Sequence, residues 1–318
     1  MNVIIRADAS VEIGSGHVIR CLTIADKLSQ AGCNVKFWME RLEGNLIEVV
    51  KQRGFEHIEY PEQADLYIVD HYALNIEWEK SIRLYTPKIA VIDDLARSHD
   101  CDLLLDQNVM PNYETRYDDK LPAHCVKLLG PKYLLIRDEF IDVRSQLRQR
   151  TQEIERLLIF MGGSDPTNET MKVLQALIPD QFEHVDIVIG KSNPQRQVIE
   201  QICEERGYHF HCQINYMAQL MQQADFAIGA GGATTWERCY VGLPSSATIV
   251  ADNQREGTIF ADSLGVVKNL GWHENVSIQT YRQLLMNLSV EKMSQLGLQL
   301  TATDRPNIWL EELLELIK

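Results

Sequence analysis

No stretch of the 318-residue sequence stays apolar for the ~20 residues that a bilayer-spanning helix requires, which excludes a transmembrane helix. The amino terminus, Met1-Asn2-Val3-Ile4-Ile5-Arg6, lacks the basic region, long apolar stretch and small-residue cleavage site of a signal peptide. It reads as a first strand, and the protein is expected in the cytoplasm, without membrane insertion. Excess positive charge is missing too. Lysine and arginine number 31 against 45 aspartates and glutamates, a formal charge of -14, so phosphate-backbone binding to nucleic acid lacks its main driving force. The seven cysteines include no C-x-x-C pair, which fits reduced thiols and argues against a structural zinc site. Low-complexity segments and short-period repeats are absent as well.

What is present is the composition of a globular protein, 45% hydrophobic and 24% charged. The length suits two domains better than one core. Short β-branched runs at Val3-Ile5, Val35-Met39, Leu66-Val69 and Ile89-Ile92 alternate with segments of helical apolar spacing. The second half repeats the pattern at Leu157-Met161, Val185-Ile189, Phe226-Gly229 and Ala247-Val250. Such alternation means βαβ units and parallel sheets. The expected fold class is therefore α/β: two doubly wound, Rossmann-like domains with a cleft between them. The charged stretch Asp138-Arg156 reads as the connection, with domains at 1–142 and 143–318. Pro306-Lys318 reads as a helix, through Trp309, Leu310, Leu313, Leu314 and Ile317, that packs back on the first domain.

Ligands of open α/β sheets lie beyond the carboxyl ends of the strands, so the residues there carry the functional reading. After the first strand comes Gly14-Ser15-Gly16-His17, where glycines let the backbone approach a ligand and a helix start presents free amides. An ordinary tight turn fits these four residues equally well. The motif is no P-loop, because no lysine-serine/threonine pair follows, and it lacks the third glycine of a dinucleotide fingerprint. His17 has the chemistry of a general base at neutral pH, and a carboxylate such as Asp8 on the neighbouring loop is a candidate to orient it. Asp70-His71-Tyr72 and Asp93-Asp94 follow later strands; Asp94 suits sugar hydroxyls or, less well, a cation. In the second half Gly231-Gly232-Ala233-Thr234 has the same phosphate-facing logic, and Glu237, one turn on, is placed to accept bonds from a ribose diol. Gly162-Gly163-Ser164-Asp165 reads as a cap and hinge or a further ligand loop, and Asn253 and Gln254 as a turn or as amide donors to phosphate or sugar. His209 and His211 share a strand face, and without a third ligand nearby a metal pair is disfavoured.

In order, Arg6-Ala7-Asp8-Ala9-Ser10, Ile13-Gly14-Ser15-Gly16-His17, Arg20-Cys21-Leu22, Asp70-His71-Tyr72, Arg137-Asp138-Glu139-Phe140, Met161-Gly162-Gly163-Ser164-Asp165, Gly231-Gly232-Ala233-Thr234 with Glu237, and Asn253-Gln254 resemble the PseG family. These are the UDP-2,4-diacetamido-2,4,6-trideoxy-β-L-altropyranose hydrolases, themselves similar to MurG-type glycosyltransferases of the GT-B fold. The resemblance implies a first domain that holds the sugar and a second that holds UDP. It makes His17 the base that activates water for inverting attack at the anomeric carbon, with no metal and no cofactor. It puts Tyr72 near the sugar, the Gly231 and Gly232 amides against the diphosphate, Glu237 on the ribose and Asn253 on the nucleotide sugar, with Arg6, Asp8, Gly16, Asp94, Gly163, Ala233, Thr234 and Gln254 as further candidate substrate-binding residues. The implied product feeds pseudaminic acid synthesis for flagellin glycosylation and surface polysaccharide. The implied partner is a small-molecule UDP-sugar; the oligomeric state stays open, a monomer being compatible. Two other readings share these motifs: a UDP-sugar glycosyltransferase of the same fold, and a nucleotide-sugar binding protein without turnover.

Overall fold

A computed structural model describes every residue except Ser289 and Glu291. The chain divides into two compact units, Met1–Ile136 with Thr303–Lys318, and Arg137–Ala302.

The first unit runs β1 (Asn2–Ala7), α1 (Gly16–Gln30), β2 (Asn34–Trp38), α2 (Ile47–Gln52), β3 (Glu56–Ile58), β4 (Leu66–Asp70), α3 (Ile76–Ile82), β5 (Ile89–Ile92), β6 (Leu103–Asp106) and β7 (Val126–Leu129). Its seven strands stand in the order β3-β2-β1-β4-β5-β6-β7, each pairing parallel with its neighbour. Central strands are buried on both faces, which is why β4 and β5 read as continuous apolar runs instead of alternating ones. The order reverses between β1 and β4. There the connections leave toward opposite faces and open a crevice at the carboxyl edge.

The second unit opens with α4 (Asp138–Arg144) and continues β8 (Arg156–Phe160), α5 (Glu169–Ala176), β9 (His184–Ile189), α6 (Arg196–Arg206), β10 (His209–Cys212), α7 (Met217–Gln223), β11 (Phe226–Ala230), α8 (Thr234–Tyr240), β12 (Ser245–Ile249), α9 (Arg255–Ser263), β13 (Lys268–Trp272), α10 (Ile278–Met286) and α11 (Met293–Leu300). Its six parallel strands follow β10-β9-β8-β11-β12-β13, with the reversal between β8 and β11. The chain then returns to the first unit as α12 (Ile308–Leu316), whose Trp309 and Leu313 are buried in the core built on β1, β2 and α1.

The division differs from the sequence expectation around residue 142. The cut at 142/143 would fall inside α4, and the stretch after it is strapped to the second unit instead of bridging. Arg150 donates to the carbonyls of Met221, Ala224, Val241 and Gly242, and Arg148 to those of Gln222 and Gln223. Cationic side chains on the last carbonyls of α7 and α8 satisfy groups that helix ends leave open. Charge in this segment signalled helix-end capping, not a solvated linker.

Candidate active site

In the first unit, β1 and β4 are adjacent, with Ala7 opposite Asp70 in register. The loop after β1 turns through Ser10–Gly14 and starts α1 at Gly16, so His17 on the first helical turn comes to lie over the end of β4. His17 Nδ1 sits 2.6 Å from Asp70 Oδ1. Arg20, one turn further along α1, grips the same carboxylate through Nε at 2.5 Å and Nη2 at 2.6 Å. Asp70 is fully buried. Burial alone would raise its pKa, but the Arg20 guanidinium and then His17 overcome that cost and hold the carboxyl well below the usual range. An ionised carboxylate can only accept, so Nδ1 carries a proton toward Asp70, and in the neutral imidazole that tautomer leaves the lone pair on Nε2. The Tyr72 ring meets the imidazole edge-on, with centroids 4.6 Å apart, and fixes the ring from the other side.

Tyr72 donates its hydroxyl to Asp94, 2.8 and 3.0 Å from the two oxygens. Behind this pair lies a layer of carboxylates at the ends of β5 and β6. Burial raises the Asp94 pKa, opposed by Arg20 and the Tyr72 hydroxyl and assisted by Asp93 and Asp70. Burial likewise pushes Asp106 up to about 6, against the Asn108 amide and Arg116 and with help from Asp94 and Asp93. Asp93 goes the other way: although burial opposes it, the His99 and Arg97 partners keep it ionised.

Asp8 is not the partner of His17. Arg6 and Asp8 lie two residues apart and so share a face of the extended chain. The Arg6 guanidinium binds both Asp8 oxygens, at 2.7 and 2.8 Å. His71 Nε2 at 3.0 Å and the Glu40 amide at 2.8 Å complete its set. The pair is buried and braces the loop behind His17. Asp70 and Arg20 both stand in the sequence motifs, yet nothing local marks them as one unit with His17. The signal lies in strand order, which only the 2-1-4 arrangement supplies.

In the second unit the loops after β8, β11 and β12 meet at the carboxyl edge. Gly231 and Thr258 of α9 are in such close approach that a Cβ at 231 would lie 2.1 Å from Thr258 Oγ1. The Gly231 amide donates to Thr248 O at 3.0 Å. The sequence motif suggests that amide as an anion donor, but it is committed to the carbonyl of Thr248. Arg238 is buried beneath this loop and ties Ala230 O, Thr234 Oγ1, Thr235 Oγ1 and Ser245 Oγ together. Burial brings its pKa down to about 10. Gln254 accepts from the Val250 amide through Oε1, turning its Nε2 toward Gly232, and Asn253 lies beside it in the short turn Asp252–Gln254. Gly163 packs against Gly190, whose amide donates to Gly163 O at 2.8 Å. Asp165 accepts from the amides of Glu169 and Thr170 and caps α5. Glu237 points from α8 toward Arg137. His209 and His211 both lean on Asp186, at 3.3 and 2.8 Å.

Both units carry their polar residues where doubly wound sheets bind ligands, and the fold belongs to a known class. Residues 157–272 match the glycosyltransferase family 28 C-terminal domain. The whole chain aligns with MurG of Acinetobacter baumannii at a TM-score of 0.64 and 15% identity, covering 99% of each chain. The fold is thus that of the two-domain GT-B glycosyltransferases. Among proteins of known name, the chain is 30% identical over 215 residues to the UDP-2,4-diacetamido-2,4,6-trideoxy-beta-L-altropyranose hydrolase of Campylobacter jejuni, covering 64% of this chain and 75% of that protein. It belongs to that hydrolase family, PseG. It is also 26% identical over 276 residues to an uncharacterized protein of Methanocaldococcus jannaschii, covering 80% of this chain but only 57% of that longer protein. No described helix is long and apolar enough to cross a membrane.

Proposed function

We propose that the chain hydrolyses a UDP-linked 2,4-diacetamido-2,4,6-trideoxy sugar, releasing UDP and the free altrose derivative on the way to pseudaminic acid. The observation that carries this reading is the 2.6 Å contact of His17 Nδ1 with an ionised, arginine-braced Asp70. It holds the imidazole in the tautomer whose Nε2 takes a proton. In the proposed step a water oxygen attacks the anomeric carbon as Nε2 accepts the water proton. The carbon–oxygen bond to UDP breaks with inversion, and its electron pair leaves on the diphosphate. The proton then passes from His17 to solvent. Orientation of one water and electrostatic support for the departing diphosphate supply most of the acceleration, since UDP leaves readily.

The first unit offers Tyr72 and Asp94 to the sugar, a hydroxyl and a carboxylate that suit its hydroxyl and acetamido groups. In the second unit the amides of Gly232, Ala233 and Thr234 suit the diphosphate, and Glu237 the ribose. Asn253 and Gln254 add amide donors nearby. No metal or cofactor takes part in the scheme, so turnover is expected to persist in EDTA. A glycosyltransferase would use the same nucleotide loops, as the family 28 match of residues 157–272 permits.

The deciding experiment offers the purified protein the UDP-sugar without any acceptor and follows UDP release, with His17→Asn as control. Release that falls by roughly a hundredfold or more in the variant, while UDP still binds, supports the reading, since general-base loss alone accounts for about 10²–10⁴. Release that depends on an added acceptor, or that survives in His17→Asn, refutes it.

A further inference from the structure

Glu237 is held in an asymmetric way that the proposed chemistry leaves unused. Its Oε1 accepts two bonds from one guanidinium, Arg137 Nε at 3.2 Å and Nη2 at 3.0 Å. Its Oε2 is enclosed and has no hydrogen-bond partner among the described residues. An enclosed carboxylate oxygen is costly to leave unmatched, so such an atom marks a place where a donor from outside the chain belongs. Arg137 is itself anchored from behind. Its third nitrogen, Nη1, lies 2.5 Å from Glu139 Oε1, Glu139 Oε2 accepts from the Ala218 amide at 3.2 Å, and the guanidinium stacks on Phe140, 4.9 Å from the ring centre. The relay from α7 through α4 to α8 lies wholly in the second unit, and it fixes which oxygen of Glu237 is occupied and which is left unpaired.

We infer that Arg137 is a positioning residue that makes the nucleotide site selective for ribose over deoxyribose, by clamping Oε1 and leaving Oε2 to accept a ribose hydroxyl. The inference rests on the reading of this unit as the UDP half of the site and deepens it. Two N–H donors nearly fill the lone pairs of Oε1, so the unpaired oxygen is the acceptor for the sugar, and a carboxylate accepts only from a hydroxyl that is there. Oε2 is already enclosed and unmatched before the nucleotide binds, so a ribose hydroxyl relieves that cost and a deoxynucleotide forgoes the relief. Without Arg137 the carboxylate is free to turn, both oxygens become wettable, and the cost disappears.

The test measures binding of UDP, 2′-deoxy-UDP and 3′-deoxy-UDP to the full chain by calorimetry, for the wild type and for Arg137→Gln and Arg137→Lys. In the wild type at least one deoxy analogue binds tenfold or more weaker than UDP, the scale of a hydrogen bond to a charged acceptor. Arg137→Gln brings that ratio to within threefold, chiefly by weakening UDP, and Arg137→Lys retains part of it. A role confined to packing would weaken all three nucleotides alike, and that outcome overturns the inference. So does a wild type that binds UDP and both deoxy analogues equally, a measurement that does not depend on any variant folding. A wild type that binds none of the three overturns the UDP reading itself along with the inference.

Discussion

Replacing Asp70 with asparagine tests the center of the proposed site, because it changes charge and donor pattern while keeping size. In the wild type Asp70 accepts from His17 Nδ1 on one oxygen and from Arg20 on both. An asparagine has one accepting oxygen. Arg20, always charged and buried beside it, claims that oxygen, which turns the amide NH₂ toward His17. Nδ1 then becomes the acceptor, the ring proton moves to Nε2, and the base is lost. The same substitution in the serine protease triad costs about 10⁴ in kcat through the same tautomer error. Here Asp70→Asn is expected to lower kcat by roughly 10²–10⁴ with KM changed little. It is also expected to destabilise the first unit by ~2–4 kcal/mol, somewhat less than the 3–5 that follow complete loss of one partner from a buried pair, because one acceptor remains for Arg20. The assay is UDP release with thermal unfolding in parallel, and ¹⁵N NMR of the His17 ring reports the tautomer directly. A variant that turns over within threefold of the wild type, or whose ring keeps its proton on Nδ1 while activity collapses, would refute the reasoning.

Two further outcomes are expected. Gly231→Ala puts a Cβ 2.1 Å from Thr258 Oγ1, and because Thr258 is buried and β-branched it cannot swing clear; the substitution should cost ~1–3 kcal/mol and weaken UDP binding, whereas Gly232→Ala meets only Gln254 Nε2 at 3.6 Å and should be milder, and equal melting temperatures for the two would contradict the packing argument. Asp106 binds its proton more tightly in the folded chain, at about 6, than at the ordinary 3.8, so the native state holds more protons in that window and stability falls as pH rises through it; Asp106→Asn should remove up to ~3 kcal/mol of that fall, and unfolding midpoints at pH 4 and pH 7 with an unchanged difference between them would count against it.

Much of this protein is legible in its residue pattern. The apolar runs of β1, β4, β5, β8 and β11 mark parallel strands because strands buried on both faces have no alternation to keep. The glycine turns after β1, β8 and β11 mark the loops at the carboxyl edges of the sheets, since tight turns and close backbone approach need residues without a Cβ. Strands such as β6 (Leu-Leu-Leu-Asp) and β7 (Val-Lys-Leu-Leu) escaped notice, being rich in leucine, which suits a helix equally. Arginines 148 and 150 looked like linker charge because the carbonyls they cap are some 70 to 90 residues away in sequence.

Local sequence alone therefore determined the fold class, the positions of the loops and the identity of a histidine able to act as a base. Which carboxylate orients that histidine was decided by the tertiary structure: the 2-1-4 strand order sets Asp70 beneath α1, while the two-residue spacing of Arg6 and Asp8 removes the nearer candidate by pairing it. In the second unit the bond of the Gly231 amide to Thr248 and the clamp of Arg137 on Glu237 likewise decided that this amide is committed and which carboxylate oxygen stays unpaired. Hydrogen-bond capacity is finite, and the partners that fill it are brought together by folding across distances that no local pattern encodes.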